Sequence, residues 1–145
     1  MNDRETTWIL VADERGARLL RGRASGSGET RFLRLERAAE IENAWVELCD
    51  HPGSASDLER RRRHAEFLQR YAAELARWLA EETRAHAIQE LELFAPLSIA
   101  LLLRREHRPA PSARIHEHHI DLGRLSHERL ATHPAVFALF RSQAS

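Results

Sequence analysis

The chain has 145 residues, of which 43% are apolar and 30% are charged, a composition typical of one folded domain and not of a disordered chain. Its 22 basic residues, all arginine, balance 22 acidic residues, so the formal net charge is zero. This balance excludes a strong overall attraction to nucleic acid or to an anionic membrane. We therefore predict a single domain over residues 1–145.

Cysteine content and hydropathy restrict the cellular setting. Cys49 is the only cysteine, which excludes an internal disulfide and a cysteine zinc cluster. The polar start "MNDRE" lacks the apolar segment of a signal peptide, and the apolar stretch 93–103 is too short to cross a bilayer. We expect a cytoplasmic protein with no membrane contact.

The first third of the chain has the pattern of an antiparallel meander. "TTWILVAD" (6–13) is a compact apolar run that predicts a buried strand, and "ARLLRGR" (17–23) follows it after a short turn. A Gly/Ser loop at 24–29 separates this hairpin from a third strand, "TRFLRLERA" (30–38). Strands so close in sequence usually pair with their neighbours.

A long helix follows a stretch, 39–56, that has no clear pattern. Ser56 and Glu59 form the Ser-x-x-Glu signature of a helix start, and we predict a helix from about Asp57 to Thr83. Apolar residues with helical spacing predict its buried face: Leu58, Ala65, Leu68, Ala72, Leu75 and Leu79.

The second half alternates strands and helices. We predict a strand at 87–95, a helix at 96–107 with Pro96 in its first turn, a strand at 113–122 and a helix at 132–140. The order β-β-β-α-β-α-β-α indicates an α/β domain with a mixed five-stranded sheet flanked by helices.

Metal-dependent chemistry has little support in this pattern. Asp13 ends the first strand, where nucleases of the ribonuclease H type carry a metal ligand, but the fourth strand ends "LFAP" without a carboxylate. We interpret Asp13 as a turn residue. In "HEHH" (116–119), His116 and His118 would share one face of a strand, but nothing selects a third ligand. We predict a polar sheet face there, with no metal and no cofactor.

Four consecutive arginines, Arg60–Arg63, lie at the start of the long helix. At about 100° per residue relative to Leu68, Arg61 points along the buried face and Arg63 points almost directly away, so the four fan around the helix. They either pair with nearby acidic residues or form a local anion site together with the loop "HPGSAS" (51–56).

Several motifs together resemble the bacterial host-attachment family: "WILVADERGARLLRG", "RHAEFLQRYAAELARWL", "LELFAPLSIALLLRREH" and "IHEHHIDLGRLSHERL". The resemblance covers nearly the whole chain. It implies a ribonuclease H-like α/β fold of the translational-machinery type, similar to the middle domain of archaeal and eukaryotic class-1 release factors. The segment "DLGRL" departs from the family pattern, with Gly123 and Arg124 in place of a polar pair. The family's name describes a phenotype and specifies no receptor or reaction.

In the release-factor domain a Gly-Gly-Gln loop precedes the long helix and enters the ribosomal peptidyl-transferase centre. The matching loop here contains Gly53 and Ser54 but no glutamine and no Gly-Gly pair. The resemblance therefore implies a non-catalytic domain that binds the ribosome or structured RNA. The expected RNA- or anion-binding residues are His51, Ser54, Arg60, Arg61, Arg62, Arg63 and His64.

Two other functions remain open. The chain could be a hydrolase that uses the 51–64 region, with His51 or His64 as general base. It could instead be a protein-interaction module, involved in attachment to host cells, whose long helix pairs with a second copy in a homodimer. Exposure of Trp45, Phe67 or Trp78 in one apolar patch would mark such a module.

Overall fold

The structure, a computed structural model, describes residues 6–26, 32–45, 56–106 and 113–140. The predicted order of strands and helices is confirmed, with one additional short helix near the C-terminus. The elements in chain order are β1 (Thr6–Ala12), β2 (Gly16–Ser25), β3 (Phe32–Glu42), α1 (Asp57–Ala85), β4 (Glu90–Phe94), α2 (Leu97–Glu106), β5 (Arg114–His118), α3 (His127–Thr132), α4 (Pro134–Phe137) and a 3₁₀ turn (Ala138–Phe140).

The five strands form one mixed sheet in the order β3-β2-β1-β4-β5. The pairs β1–β2 and β2–β3 are antiparallel, because short connections join consecutive strands. The pairs β1–β4 and β4–β5 are parallel, and each parallel step crosses over through a helix, α1 or α2. The predicted mixed α/β architecture is therefore confirmed.

Both faces of the sheet are covered by helices, so β1 is buried on its two sides. Leu10 faces the layer formed by α1 and α2, whereas Ile9 faces the layer formed by the C-terminal helices. This division follows from the alternation of side chains along a strand. The first layer buries Tyr71, Leu75, Leu79 and Ile99, and the second buries Leu130, Val136 and Phe140.

The long helix α1 begins where the sequence predicts, because the hydroxyl oxygen of Ser56 accepts a hydrogen bond from the backbone N–H of Glu59 (3.2 Å). Its buried face, however, begins only at Leu68. Leu58 is 69% exposed and Ala65 is also exposed, so the prediction that they belong to the core is wrong. All seven residues of 57–63 are exposed, and this segment adds about 10 Å of helix that lies beyond the core formed by the described residues.

The end of α1 corrects the predicted start of the fourth strand. Ala87, expected to open that strand, has a positive φ of 51° and belongs to the turn that ends the helix. The N–H of Ile88 donates to the carbonyl oxygen of Thr83 (2.8 Å), and the N–H of Ala87 donates to the carbonyl oxygen of Arg84 (3.2 Å). These two bonds form a Schellman motif, which reverses the chain before β4 begins at Glu90.

The C-terminal region differs from the prediction of one helix over 132–140. The helix α3 starts earlier, capped by Ser126, whose hydroxyl accepts from the N–H of Arg129 (3.3 Å). His133 then interrupts the helix and caps α4, since its ring nitrogen Nδ1 accepts from the N–H of Ala135 (3.1 Å). Pro134 requires this interruption, because a proline restricts the preceding residue to extended backbone.

Candidate functional site

The turn between β1 and β2 is built around Asp13. One carboxylate oxygen, Oδ1, accepts hydrogen bonds from the backbone N–H groups of Arg15 (2.8 Å) and Gly16 (3.1 Å). The N–H of Asp13 donates to the carbonyl oxygen of Gly16 (2.9 Å). The interpretation of Asp13 as a turn residue is therefore confirmed, and its carboxylate stabilises the loop at the carboxyl end of β1.

The second oxygen of Asp13 lies against Gly123, in the segment that follows β5. A side chain at residue 123 would overlap this carboxylate, so only glycine fits there. The carbonyl oxygen of Gly123 accepts from Nη2 of Arg18 (3.2 Å), and its N–H donates to the carboxylate of Asp121 (3.3 Å). The close approach explains why glycine occupies a position where the family resemblance leads us to expect a polar side chain.

Asn43, at the end of β3, connects this turn to the segment that leads towards α1. Its amide nitrogen donates to the carbonyl oxygen of Glu14 (2.7 Å), and its backbone N–H donates to that of Arg15 (2.8 Å). Its side-chain oxygen accepts from the N–H of Trp45 (2.9 Å). The Asn43 side chain is buried, and both its amide nitrogen and its amide oxygen are hydrogen-bonded, so its role is to hold the turn in place.

Two adjoining cavities of about 370 Å³ and 390 Å³ flank the β1–β2 turn. Both are lined by Asp13, Arg15 and Arg124. The first also contains the side chains of Glu14, His64 and Asp121, so charges of both signs surround it. Such a charged lining favours a polar ligand.

The second cavity extends over β2, where the guanidinium of Arg18 is part of the lining. Burial lowers the pKa of Arg18 below its usual value, and the nearby carboxylates of Asp13 and Glu40 counteract part of that effect. The guanidinium remains charged over the physiological pH range. Burial also lowers the pKa of the neighbouring His127, and the charges of Arg18 and Arg37 lower it further, which favours a neutral imidazole.

Among the predicted site residues that the structure describes, His64 is the one that reaches the first cavity. Its ring nitrogen Nε2 lies 3.8 Å from a carboxylate oxygen of Glu14. Beneath the same region the Tyr71 ring is fully buried, and its hydroxyl has no hydrogen-bond partner among the described residues. Burial raises the pKa of Tyr71, and the charge of Asp13 raises it further, so the hydroxyl stays protonated.

The four predicted arginines lie apart from the cavities, on the exposed first turns of α1. Arg60 forms a long ion pair with Asp57, with Nη2 and Oδ1 separated by 3.9 Å. Arg61, Arg62 and Arg63 have no ion-pair partner within the described parts of the chain. Arg61 is exposed even though it points along the buried face, because the core does not extend to this part of the helix. His51 and Ser54 lie outside the described residues.

An aromatic cluster packs beside these turns. The rings of Trp45 and Phe67 are nearly parallel, with an interplanar angle of 13° and centroids 5.6 Å apart. The guanidinium carbon of Arg70 lies 5.2 Å from the centroid of the Trp45 ring. Trp45, Phe67 and Trp78 are each half-buried and not exposed, so the marker expected for a protein-interaction module is not observed.

The "HEHH" segment confirms the predicted alternation on β5. His118 lies opposite Phe94 and bonds to Glu92, with 2.7 Å between Nε2 and Oε1. His116, on the same face, lies 3.7 Å from the carboxylate of Glu90. Glu117 points to the other face, where Nε of Arg104 donates to it (2.7 Å). The histidines thus form part of a polar sheet face. The sequence did not indicate that their acidic partners would be Glu90 and Glu92 on β4.

The described ranges, 6–26, 32–45, 56–106 and 113–140, contain neither a metal-binding cluster nor a helix that could span a membrane. No group of three or more histidine, cysteine or acidic side chains in these ranges is arranged to hold a metal ion. No helix in them combines the length and the apolar content needed to cross a bilayer.

Residues 6–133 match the model of bacterial archaeo-eukaryotic release factor family 12. The chain belongs to this family. No curated protein matches the chain.

Membership in release factor family 12 supports the release-factor resemblance of the sequence motifs. In this family 12 domain, the sequence did not predict that Glu14, Asn43 and Gly123 lie at the β1–β2 turn and its cavities. Glu14 and Asn43 come together because β2 pairs with β3. The spacing of residues along the chain does not indicate this pairing. Gly123 could have been found, because it replaces a polar residue that the family resemblance leads us to expect. An unexpected glycine often marks a close approach of two chain segments.

Proposed function

We propose that this release-factor-like domain is a non-catalytic RNA-binding domain of the translation machinery, and that the first turns of α1 contact the RNA. The exposure of all residues of 57–63, with Arg60–Arg63 among them, supports this proposal. Guanidinium groups suit phosphate because their planar N–H donors match its oxygens. Arg61, Arg62 and Arg63 have no ion-pair partner among the described residues, so their guanidinium groups can turn towards such a ligand.

Local charge supports the same surface despite the zero net charge of the chain. Between residues 57 and 70, five arginines outnumber three acidic residues. An excess this small gives a weak, salt-sensitive attraction, because each phosphate contact releases a bound counterion. His51 and Ser54 belong to the proposed surface by their place in the sequence, directly before α1.

The test compares two triple variants that carry the same change in charge. Arg60/Arg62/Arg63→Glu reverses the proposed surface, whereas Arg84/Arg105/Arg129→Glu reverses three exposed arginines elsewhere. We expect the wild type and the second variant to co-sediment with ribosomes at low salt. The first variant should bind RNA about tenfold or more weakly. A wild type that binds neither ribosomes nor RNA, or an equal loss in both variants, overturns the proposal.

A hydrolase is the second candidate, and the position of His64 favours it. Its imidazole lines the 370 Å³ cavity and lies 3.8 Å from Glu14, which could orient it as a general base. The test is hydrolysis of the ester bond in N-acetylated aminoacyl-tRNA by the wild type and by His64→Gln. Activity in the wild type that His64→Gln removes supports this function, and an inactive wild type excludes it for esters of this kind.

The finer classification of fold and family belongs to the same proposal. We propose a ribonuclease H-like fold, supported by the strand order β3-β2-β1-β4-β5 with β2 as the one strand that runs against the other four. The host-attachment family name remains a proposal about the biological setting of the protein, supported by the sequence motifs and not by a receptor or a reaction.

A further inference from the structure

We infer that the Trp45–Phe67–Arg70 cluster, together with Arg60 and Arg63, forms a site for single-stranded RNA. An unpaired base stacks on the guanidinium of Arg70, and the phosphates follow the two arginines along α1. This inference rests on the proposed RNA-binding function and specifies the form of RNA that the site accepts.

The cluster presents a guanidinium supported from behind by aromatic rings. The guanidinium carbon of Arg70 lies 5.2 Å from the centroid of Trp45 and 5.9 Å from that of Phe67. The two rings are half-buried, whereas Arg70 is exposed. A base can therefore approach the outer side of the guanidinium, and both faces of a guanidinium accept stacking.

Arg70 differs in its surroundings from Arg21, which also lies over a tryptophan. The guanidinium carbon of Arg21 lies 5.7 Å from the centroid of the Trp8 ring, but Arg21 also pairs with Glu36 at 3.4 Å and its Nε is buried. Arg70 has no ion-pair partner within the described residues. The positive charge of Arg70 is thus available to a ligand, whereas the charge of Arg21 is already paired with Glu36.

The geometry of α1 joins the cluster to two of the exposed arginines. At about 100° per residue, Arg60, Arg63, Phe67 and Arg70 fall within an arc of roughly 80°. At about 1.5 Å per residue, the stripe from Arg60 to Arg70 is roughly 15 Å long. It therefore has the length of a short stretch of nucleic-acid backbone and combines phosphate-binding groups with a stacking surface, the two features of sites for single strands.

Acidic residues border this stripe on both sides, since Asp57 lies about 80° from Phe67 on the side of Arg60. Glu59 and Glu66 lie about 80–100° from Phe67 around the helix, beyond Arg63 and Arg70. Their charges repel phosphate and so confine the backbone to the stripe. A duplex cannot use the stacking surface, because its bases are already stacked and paired. The site is consequently expected to discriminate single-stranded from double-stranded RNA.

The test measures binding of a fluorescein-labelled twelve-nucleotide oligouridylate and of a duplex RNA of the same length by fluorescence anisotropy. The variant is Arg70→Gln, and the matched control is Arg84→Gln, an exposed arginine near the other end of α1. We expect the wild type to prefer the single strand. Arg70→Gln should weaken single-strand binding by roughly fivefold or more and leave duplex binding unchanged within about twofold. Arg84→Gln should change neither.

A second measurement reports on the cluster directly. In the double variant Trp8→Phe/Trp78→Phe, Trp45 is the sole tryptophan, and we expect oligouridylate to change its fluorescence, while the duplex does not. Equal binding of both RNAs, unaffected by Arg70→Gln, overturns this inference and leaves the proposed function intact. An equal loss of single-strand binding in Arg84→Gln also overturns it. Absence of binding to either RNA overturns the proposed function itself.

Discussion

Gly123 lies so close to the carboxylate of Asp13 that a methyl group at residue 123 would overlap it. The contact joins the segment after β5 to the turn between β1 and β2, two parts of the chain that are far apart in sequence. Asp13 cannot easily move away, because its other oxygen accepts two backbone hydrogen bonds within the turn. Asp13 lines both cavities, and it can occupy its position because residue 123 has no side chain.

This contact predicts that Gly123→Ala destabilises the protein by about 1–3 kcal/mol, the usual cost of inserting a methyl group where there is no space. Urea denaturation measures the change. In an Asp13→Ala background the same substitution should cost less, since the overlapping carboxyl group is gone. Equal costs in the two backgrounds would show that Gly123 is required for another reason.

The buried hydroxyl of Tyr71 predicts a stabilising substitution. The hydroxyl has no partner among the described residues, and burial of a hydroxyl without a hydrogen bond costs free energy. Tyr71→Phe should raise the free energy of unfolding by about 1 kcal/mol in urea denaturation. The control, Tyr71→Leu, removes the ring and should lower stability. A loss of stability in Tyr71→Phe would mean that the hydroxyl is hydrogen-bonded after all.

The turn after α1 predicts a second stabilising substitution. Ala87 has a φ of 51°, a backbone conformation in which its Cβ approaches the carbonyl oxygen. Ala87→Gly should relieve this strain and stabilise the protein by about 1 kcal/mol, as measured by thermal unfolding. Ala85→Gly, two residues earlier and still helical, should instead cost about 0.5–1 kcal/mol. If both substitutions changed the stability in the same direction, Ala87 would not be strained.

The ion pair between α2 and β5 predicts a pH-dependent contribution to stability. The hydrogen bond from Arg104 lowers the pKa of Glu117 below its usual value of 4.5. The stabilisation is therefore fully present above the pKa of the unfolded chain and is lost as pH falls through the lower pKa of the folded state. Measured from pH 5 to pH 3, the difference in urea midpoint between wild type and Glu117→Gln should shrink below about pH 4.

Glu106, an exposed carboxylate on the last turn of α2, provides the control for this pH dependence. The midpoint difference between wild type and Glu106→Gln should not change over the same pH range. A Glu117→Gln difference that persists into strong acid would show that the substitution acts through packing and not through charge.

Much of the fold could be predicted because local patterns encode it. The apolar run of β1 and the Ser56 cap of α1 are properties of neighbouring residues, and both predictions are confirmed. The predicted core positions Leu58 and Ala65 are wrong for a physical reason. Helical periodicity gives the direction of a side chain but not how far the sheet extends beneath the helix.

The candidate site was less predictable. The arginines at 60–63 are visible in the sequence, but their exposure depends on where the core ends. The stacking of Trp45 with Phe67 joins residues on either side of a long connection, and nothing in their spacing indicates it. The glutamate partners of His116 and His118 depend on the register between β4 and β5.

The sequence by itself determined the element order, the mixed character of the sheet and the family resemblance, because these follow from local periodicity and from motifs in a fixed order. Only the tertiary structure decided which groups meet. Parallel pairing of β1 with β4 and of β4 with β5 brings the ends of distant segments to one edge, where Gly123 contacts Asp13 and His64 approaches Glu14. Such contacts depend on register and on the extent of packing, which are properties of the assembled sheet.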